Sequence, residues 1–162
     1  MKVSLQFEES NIRISDVLDL VLVLCQKQYF PALKSLEVQA PNVLISDKDV
    51  DQVFRLPQDC GVRDLQLNLS DNKFSEIQLY NIILSFLGWH RGVLEAEPNL
   101  KLKTNLNLNR CESLTTKIFT NLLNAQLANP QKGNSVLVNA KAGPIDPLAL
   151  QNLSQKTGVR IL

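Results

Sequence analysis

The stretch LNLNRCESLTT, residues 106–116, decides the fold because its order of apolar and polar residues recurs elsewhere in the chain. Leucine alternates with asparagine up to Leu108, Cys111 follows three residues later, and Leu114 follows three residues after that. The related stretch LNLSDNKF, residues 67–74, has Asn72 where the first has Cys111. A motif that returns at a nearly constant period indicates a repeat protein, in which each repeat is one unit of secondary structure.

Pairs of apolar residues separated by one residue mark five repeats: Leu5 and Phe7, Leu36 and Val38, Leu67 and Leu69, Leu106 and Leu108, and Val136 and Val138. Their first members lie 31, 31, 39 and 30 residues apart. An incomplete sixth strand follows at 159–162. The spacing predicts one domain, 1–162, with about five repeats and an insertion in the third repeat near 88–99.

Helix signals follow each predicted strand, with candidate N-caps at Ser15, Ser46, Ser75, Thr115 or Thr116, and Asp146. Ser75 and Gln78 have the order of a capping box. Pro147 suits the first turn of a helix, and Gly88 is predicted to end the third helix. Because strands joined by helical crossovers run parallel, the sequence predicts an α/β fold with a parallel sheet.

Two parallel architectures then compete. A doubly wound sheet has helices on both faces, so its central strands are continuously apolar, whereas a solenoid leaves one strand face in water. The stretches QLNLS (66–70) and NLNLN (105–109) alternate apolar and polar residues, which favours the solenoid. Val136-Leu137-Val138 does not alternate, so the doubly wound alternative stays open.

With a helix in every repeat and a period near 30, the chain resembles the ribonuclease-inhibitor-like and cysteine-containing subclasses of the leucine-rich-repeat family. The resemblance implies a solenoid with the parallel sheet on the concave face and the helices on the convex face. It also implies that Asn72 and Cys111 turn inward and donate hydrogen bonds to backbone carbonyls. The first two repeats depart from the motif, because Asn11 and Asn42 stand four residues after the second apolar position instead of three.

Composition excludes several classes of function. Seventeen basic residues against sixteen acidic ones leave a net charge of +1, so we expect neither nucleic acid nor an anionic membrane as a partner. The most apolar run, 17–25, is far shorter than the roughly 20 residues that span a bilayer. Three cysteines cannot all pair within the chain, and no signal-peptide pattern precedes the first strand, so we expect free thiols and a cytoplasmic location.

No group of residues has the pattern of an active site. His90 is the only histidine, so any histidine-dependent nucleophile or metal site would need it. The chain has no Cys-x-x-Cys, no His-x-x-x-His and no glycine-rich phosphate loop. We therefore expect no enzymatic activity, no cofactor and no metal. A hydrolase that uses Cys60 or Cys111 with His90 is the least favoured alternative.

Two surfaces are candidates for binding a partner. The first is the polar strand face, with Gln6, Glu8, Glu37, Gln39, Gln66, Asn68, Asn105, Asn107, Asn109 and Asn139. Amides provide donors and acceptors without fixed charge, although the same residues could simply keep an open sheet soluble. The second is the predicted loop 88–94, which contains Trp89, His90 and Arg91 between two glycines. Trp and Arg often dominate interfaces, but Trp89 could instead pack over the preceding helix.

The sequence therefore predicts a non-enzymatic scaffold that binds another protein through the polar face, the Trp89 loop or both. If the loop is exposed, Trp89→Ala should leave the fold intact and weaken the binding of a partner. A small parallel α/β regulatory domain is the alternative. Unpaired end strands predict a homo-oligomer or docking into a larger assembly. The composition is also compatible with a bacterial effector that is exported into a host cytosol.

Overall fold

A computed structural model of the chain describes residues 1–7, 13–27, 33–43, 45–100, 102–124, 135–139, 146–157 and 159–161. Within these residues, strands and helices alternate. The strands are β1 (Lys2–Gln6), β2 (Ser35–Gln39), β3 (Asp64–Asn68), β4 (Lys103–Asn107), β5 (Ser135–Asn139) and β6 (Val159–Ile161). The helices are α1 (Ile14–Gln26), α2 (Asp47–Cys60), α3 (Glu76–Ala96), α4 (Thr116–Asn124) and α5 (Pro147–Thr157).

The strands form one parallel sheet in which each strand pairs with the next strand along the chain. One helix lies between each pair of successive strands, and each helix contacts the next helix along the chain. Each strand-helix unit therefore lies beside the preceding unit. The prediction of an α/β chain with a parallel sheet is confirmed.

The core lies between one face of the sheet and the helices. The inward residues of the central strands, Leu36, Val38, Leu65, Leu67 and Leu106, are almost completely buried. They join one cluster with residues from α1, α2, α3 and the start of α4. Burying a leucine side chain stabilises a fold by about 1.5–3 kcal/mol. The alternating residues on the other face are only partly buried, so these strands have a core face and a polar face.

The sheet register corrects the predicted alignment of the second and fifth repeats. One row across the sheet contains, in strand order, Leu5, Val38, Leu67, Leu106 and Val138. The prediction had placed Leu36 and Val136 in this row. The cause in the second repeat is Ala40, which fills the inward position that Leu69 fills in the third repeat. Alanine does not stand out in an apolar pattern, although Ala40 is fully buried.

The insertion predicted as a loop near 88–99 is mostly helix. α3 continues to Ala96, so Gly88 and Gly92 lie inside it, and Gly88 does not end it. Glycine in a helix interior costs about 1 kcal/mol relative to alanine. Beyond Gly88 the helix buries three more side chains, those of Trp89, His90 and Leu94. That burial outweighs the glycine penalty, and the longer third repeat is a longer helix.

Three predicted helix caps are present and one is not. Asp146 precedes α5, and its carboxylate accepts from the Leu148 N–H at 2.9 Å. Ser46 caps α2 and Ser75 caps α3, each in a capping box. α1 instead begins at Ile14, and Ser15 is buried within it. The Ser15 N–H donates to a carboxylate oxygen of Asp49 at 2.7 Å, so a residue of the next repeat satisfies the first turn of α1. A cap that comes from 34 residues away leaves no local sequence signal.

The turns that follow β2, β3 and β4 share one backbone conformation. Asn42, Asp71 and Arg110 have positive φ angles of 53°, 61° and 58° and stand at equivalent places after their strands. Asn42 is therefore the turn residue of the second repeat. The inward position that follows it belongs to Val43, not to an asparagine. Asn11, the corresponding prediction in the first repeat, lies outside the described residues.

Asn72 and Cys111 connect successive turns. The Asn72 amide nitrogen donates to the carbonyls of Ala40, Leu69 and Ser70 at 2.8–3.2 Å, and its oxygen accepts from the Val43 N–H at 2.8 Å. The Cys111 thiol donates to the Leu69 carbonyl at 3.4 Å. Burial raises the pKa of Cys111 to about 11, so the thiol keeps its proton at neutral pH. Both side chains thus satisfy buried carbonyls across repeat boundaries.

Candidate functional site

The polar face of the sheet contains two rows of side chains that cross the strands. The first row is Glu37, Gln66 and Asn105, and the second is Gln39, Asn68 and Asn107. All six are partly exposed in the described structure. The backbone register extends the second row to Gln6 on one side and to Asn139 on the other. The rows arise because in-register parallel strands place alternate residues of each repeat side by side.

The second row is a ladder of amide hydrogen bonds. Asn107 donates to the Asn68 side-chain oxygen at 3.0 Å, and Asn68 donates to the Gln39 oxygen at 2.8 Å. Gln39 in turn donates to the Glu37 carboxylate at 3.0 Å, and the Asn109 N–H donates to the Asn107 oxygen at 3.0 Å. The ladder orients these amides, so the face presents them in fixed positions. Each ladder bond uses only one of the two N–H groups of Asn68 and of Asn107.

The first row differs from the ladder because it contains a charged residue, Glu37, and a buried oxygen without a hydrogen-bond partner, that of Asn105. Glu37 forms an ion pair with Lys2 at 2.8 Å, and this hydrogen bond lowers the pKa of Glu37. Asn105 has a buried side-chain oxygen that has no hydrogen-bond partner among the described residues. A buried acceptor without a partner costs about 1–3 kcal/mol. Because this oxygen is closed off from solvent, it lowers the stability of the fold and does not offer a contact to a molecule bound on the face.

The predicted Trp89 site is not an exposed loop. Trp89 and His90 are 8% and 9% exposed in the middle of α3, and Trp89 belongs to the hydrophobic core. The Trp89 ring lies 6.4 Å from the ring of Phe86. Arg91 is exposed, but it pairs with Glu95 one helical turn later at 2.6 Å. The three residues therefore lie among the helices, away from the polar face of the sheet, and the two predicted surfaces do not form one site.

The burial of His90 predicts a loss of stability in mild acid. Burial lowers the pKa of His90 from 6.5 to about 4. The unfolded chain binds this proton below pH 6.5, whereas the folded chain does not until about pH 4. Folding stability is therefore lost as the pH falls through this window, by up to about 1.4 kcal/mol per pH unit. Urea unfolding at pH 7 and 4.5 should show that wild type loses about 2 kcal/mol more than His90→Phe. Equal losses would contradict the prediction.

The cysteines are poor nucleophiles in this fold. Burial, together with a hydrogen bond to Cys25, raises the pKa of Cys60 to about 12. Cys111 is fully buried and occupied by its bond to Leu69. A reactive cysteine needs a lowered pKa and access to solvent. Both thiols have a raised pKa, Cys60 is only partly exposed and Cys111 is buried. The contact between Cys25 in α1 and Cys60 in α2 was missed in the sequence, because no local pattern links two residues that far apart.

The described residues contain no group of three or more His, Cys, Asp or Glu side chains placed to hold a metal ion. Likewise, none of the helices in the described ranges combines the length and apolarity that a membrane span requires. Searches with family models, of curated proteins and of solved structures find no match to this chain.

Proposed function

We propose that the chain is a non-enzymatic scaffold of the leucine-rich-repeat type that binds another protein through the polar face of its sheet. The proposal depends on one observation: two rows of polar side chains cross one face of an ordered sheet. One face of β2, β3 and β4 builds the core, while the other face presents oriented amides that no described helix covers. An ordered sheet face of this kind is where such scaffolds hold a partner.

Several features support the finer assignment of a curved solenoid with the sheet on the concave face. The strands follow one another in chain order, whereas a doubly wound sheet reverses its order once. The shared turn conformation at Asn42, Asp71 and Arg110 argues for equivalent repeats. The bonds of Asn72 and Cys111 across repeat boundaries match the role that the family resemblance implies. These features weigh against the alternative of a doubly wound regulatory domain.

The chemistry of the face favours a polar, extended protein segment as the partner. The remaining N–H groups of Asn68 and Asn107 offer donors, and the partly exposed Glu37 carboxylate offers further acceptor sites. Backbone amides of an extended segment provide both kinds of group at regular spacing. The face has few fixed charges, and the net charge is +1, so a highly charged ligand gains little there.

The raised pKa values of Cys60 and Cys111 support a non-enzymatic role and weigh against the Cys/His hydrolase. Cytoplasmic location, and delivery into a host cell, stay predictions. Self-association through the end strands also stays a prediction. Leu20 and Val23 of α1, the helix of the first strand-helix unit, are exposed apolar residues and could take part in such self-association.

The polar-face proposal is tested by charge substitution. Asn68→Arg with Asn107→Arg breaks the ladder and places two large cations on the face, so partner binding should weaken at least about tenfold. Binding is measured by affinity capture from lysate followed by titration of the captured protein. Asn81→Arg with Asn121→Arg is the matched control, because it adds the same charge at two exposed helix positions.

Circular dichroism and thermal unfolding check that both double variants fold. If the control binds normally and the face variant does not, the polar face is the binding surface. If both variants bind a partner as wild type does, the partner uses another surface and the proposal is wrong.

A further inference from the structure

Exposed apolar residues are concentrated in the first strand-helix unit, which consists of β1 and α1. The large apolar residues exposed in the described part of the chain are Met1, Leu20, Val23, Ile77 and Leu148. Three of these five lie in this unit or directly before it. Leu20 and Val23 are 58% and 43% exposed. Single exposed apolar residues are ordinary, whereas a group on one face indicates an interaction surface.

On α1 an apolar stripe runs along the side that faces away from α2. Val17, Leu20 and Leu24 recur at helical spacing, and all three are at least partly exposed. Ser15 and Cys25 make contacts with α2, so they mark the side of α1 that packs inside the molecule. With 3.6 residues per turn, Leu20 lies about half a turn from that side. We call Val17, Leu20 and Leu24 the α1 stripe.

The strand of the same unit is also incompletely covered. β1 lies at the edge of the sheet, and its inward residues Val3 and Leu5 are only partly buried. Their register partners in β2, Leu36 and Val38, are 0% exposed. In the next two units this side is covered by the preceding unit, since α2 packs against α1 and α3 against α2. The outer side of the first unit therefore has the apolar character of a packing surface, although no strand or helix of the described ranges packs on it.

Two charged residues at the ends of α1 indicate which partner fits this surface. Asp16 lies in the first turn of the helix, and Lys27 follows its last turn. Both are exposed, and neither forms an ion pair with another residue of the described ranges. An acid at one end of the α1 stripe and a base at the other make the surface complementary to a second copy of itself that runs in the opposite direction.

We propose that two copies of the chain associate through the α1 stripe, with their α1 helices antiparallel across a two-fold axis near Leu20. This arrangement buries the stripe of both copies at once, as a two-fold interface does. It also brings Asp16 of each copy to within one helical turn of Lys27 of the other. A parallel arrangement would instead place like charges beside each other, which is unfavourable. The polar face lies on the other side of the sheet from α1, so this association does not depend on the binding of another protein there.

Sedimentation equilibrium measures the association. At about 100 µM, where a dimer of micromolar affinity is populated, wild type should have twice the 18.2 kDa mass of one chain. Leu20→Asp brings two carboxylates together near the axis and should weaken the dimer at least about tenfold. Ile77→Asp is the matched control, because Ile77 is 73% exposed on α3, and it should associate as wild type does. Thermal unfolding checks that both variants fold. A monomeric wild type, or unchanged association of Leu20→Asp, would overturn the proposal.

Charge exchange tests the antiparallel arrangement. Asp16→Lys places a second cation beside Lys27 of the other copy and should weaken the dimer about tenfold. Adding Lys27→Asp to the same chain should restore the affinity to within about threefold of wild type. Charges that act only within one chain would not give this rescue. Absence of the rescue, or species that grow beyond two copies with concentration, would contradict the two-fold arrangement.

The variant Asn68→Arg with Asn107→Arg separates the two proposals. Its changes lie on the polar face, so it should still form the dimer while it loses the protein partner. Loss of the dimer in this variant would show that association uses the polar face and not the α1 stripe.

Discussion

Replacing Asn72 with alanine is expected to lower the free energy of unfolding by about 3 kcal/mol. Asn72 is buried and satisfies the Ala40 and Leu69 carbonyls and the Val43 N–H. Alanine would leave the Ala40 carbonyl and the Val43 N–H without the Asn72 side chain, whereas the Leu69 carbonyl would keep the weaker bond from the Cys111 thiol. Each buried group left without a partner costs about 1–3 kcal/mol before the turns relax. For a chain of this size the melting temperature should fall by about 6–12 °C. Urea unfolding measures the free energy directly.

Asn72→Cys is the informative companion, because Cys111 occupies the equivalent position in the next repeat. A thiol can replace one donor but cannot accept from the Val43 N–H as the amide oxygen does. The cysteine variant should therefore be intermediate in stability between wild type and Asn72→Ala. If Asn72→Ala unfolds at the wild-type urea concentration, Asn72 does not hold the two turns together.

Trp89→Ala is expected to lower the free energy of unfolding by about 3–5 kcal/mol, the usual cost of removing a large aromatic side chain from a core. The indole is 8% exposed and packs near Phe86. This predicted loss of stability replaces the expectation for an exposed loop, for which Trp89→Ala would leave the fold intact and weaken the binding of a partner. Thermal and urea unfolding separate the two, since only a core position gives a large loss of stability.

Two neighbouring variants make that experiment specific. Trp89→Phe keeps most of the apolar contact and should lose less than half as much stability as Trp89→Ala. Arg91→Ala removes only an exposed ion pair with Glu95, so its effect should stay within about 0.5 kcal/mol. A Trp89→Ala variant as stable as Arg91→Ala would show that the indole is not part of the core.

The sequence by itself determined the parallel strand-helix repeat, the polar strand face and the caps at Ser46 and Ser75. These features depend on local order: alternation places side chains on the two faces of a strand, and a capping box lies within four residues. The positions of Asn72 and Cys111, each three residues after an apolar strand position, were also visible in the sequence, but the carbonyls to which they donate were not.

Only the tertiary structure decided the register of the second and fifth repeats, the helical state of 88–96 and the burial of Trp89. It also decided that Asp49 caps α1 and that Cys25 contacts Cys60. Each of these depends on contacts between repeats about 30 or more residues apart. α3 continues beyond Gly88 because of packing and not because of local propensity. The apolar surface that it buries there outweighs a glycine penalty of about 1 kcal/mol.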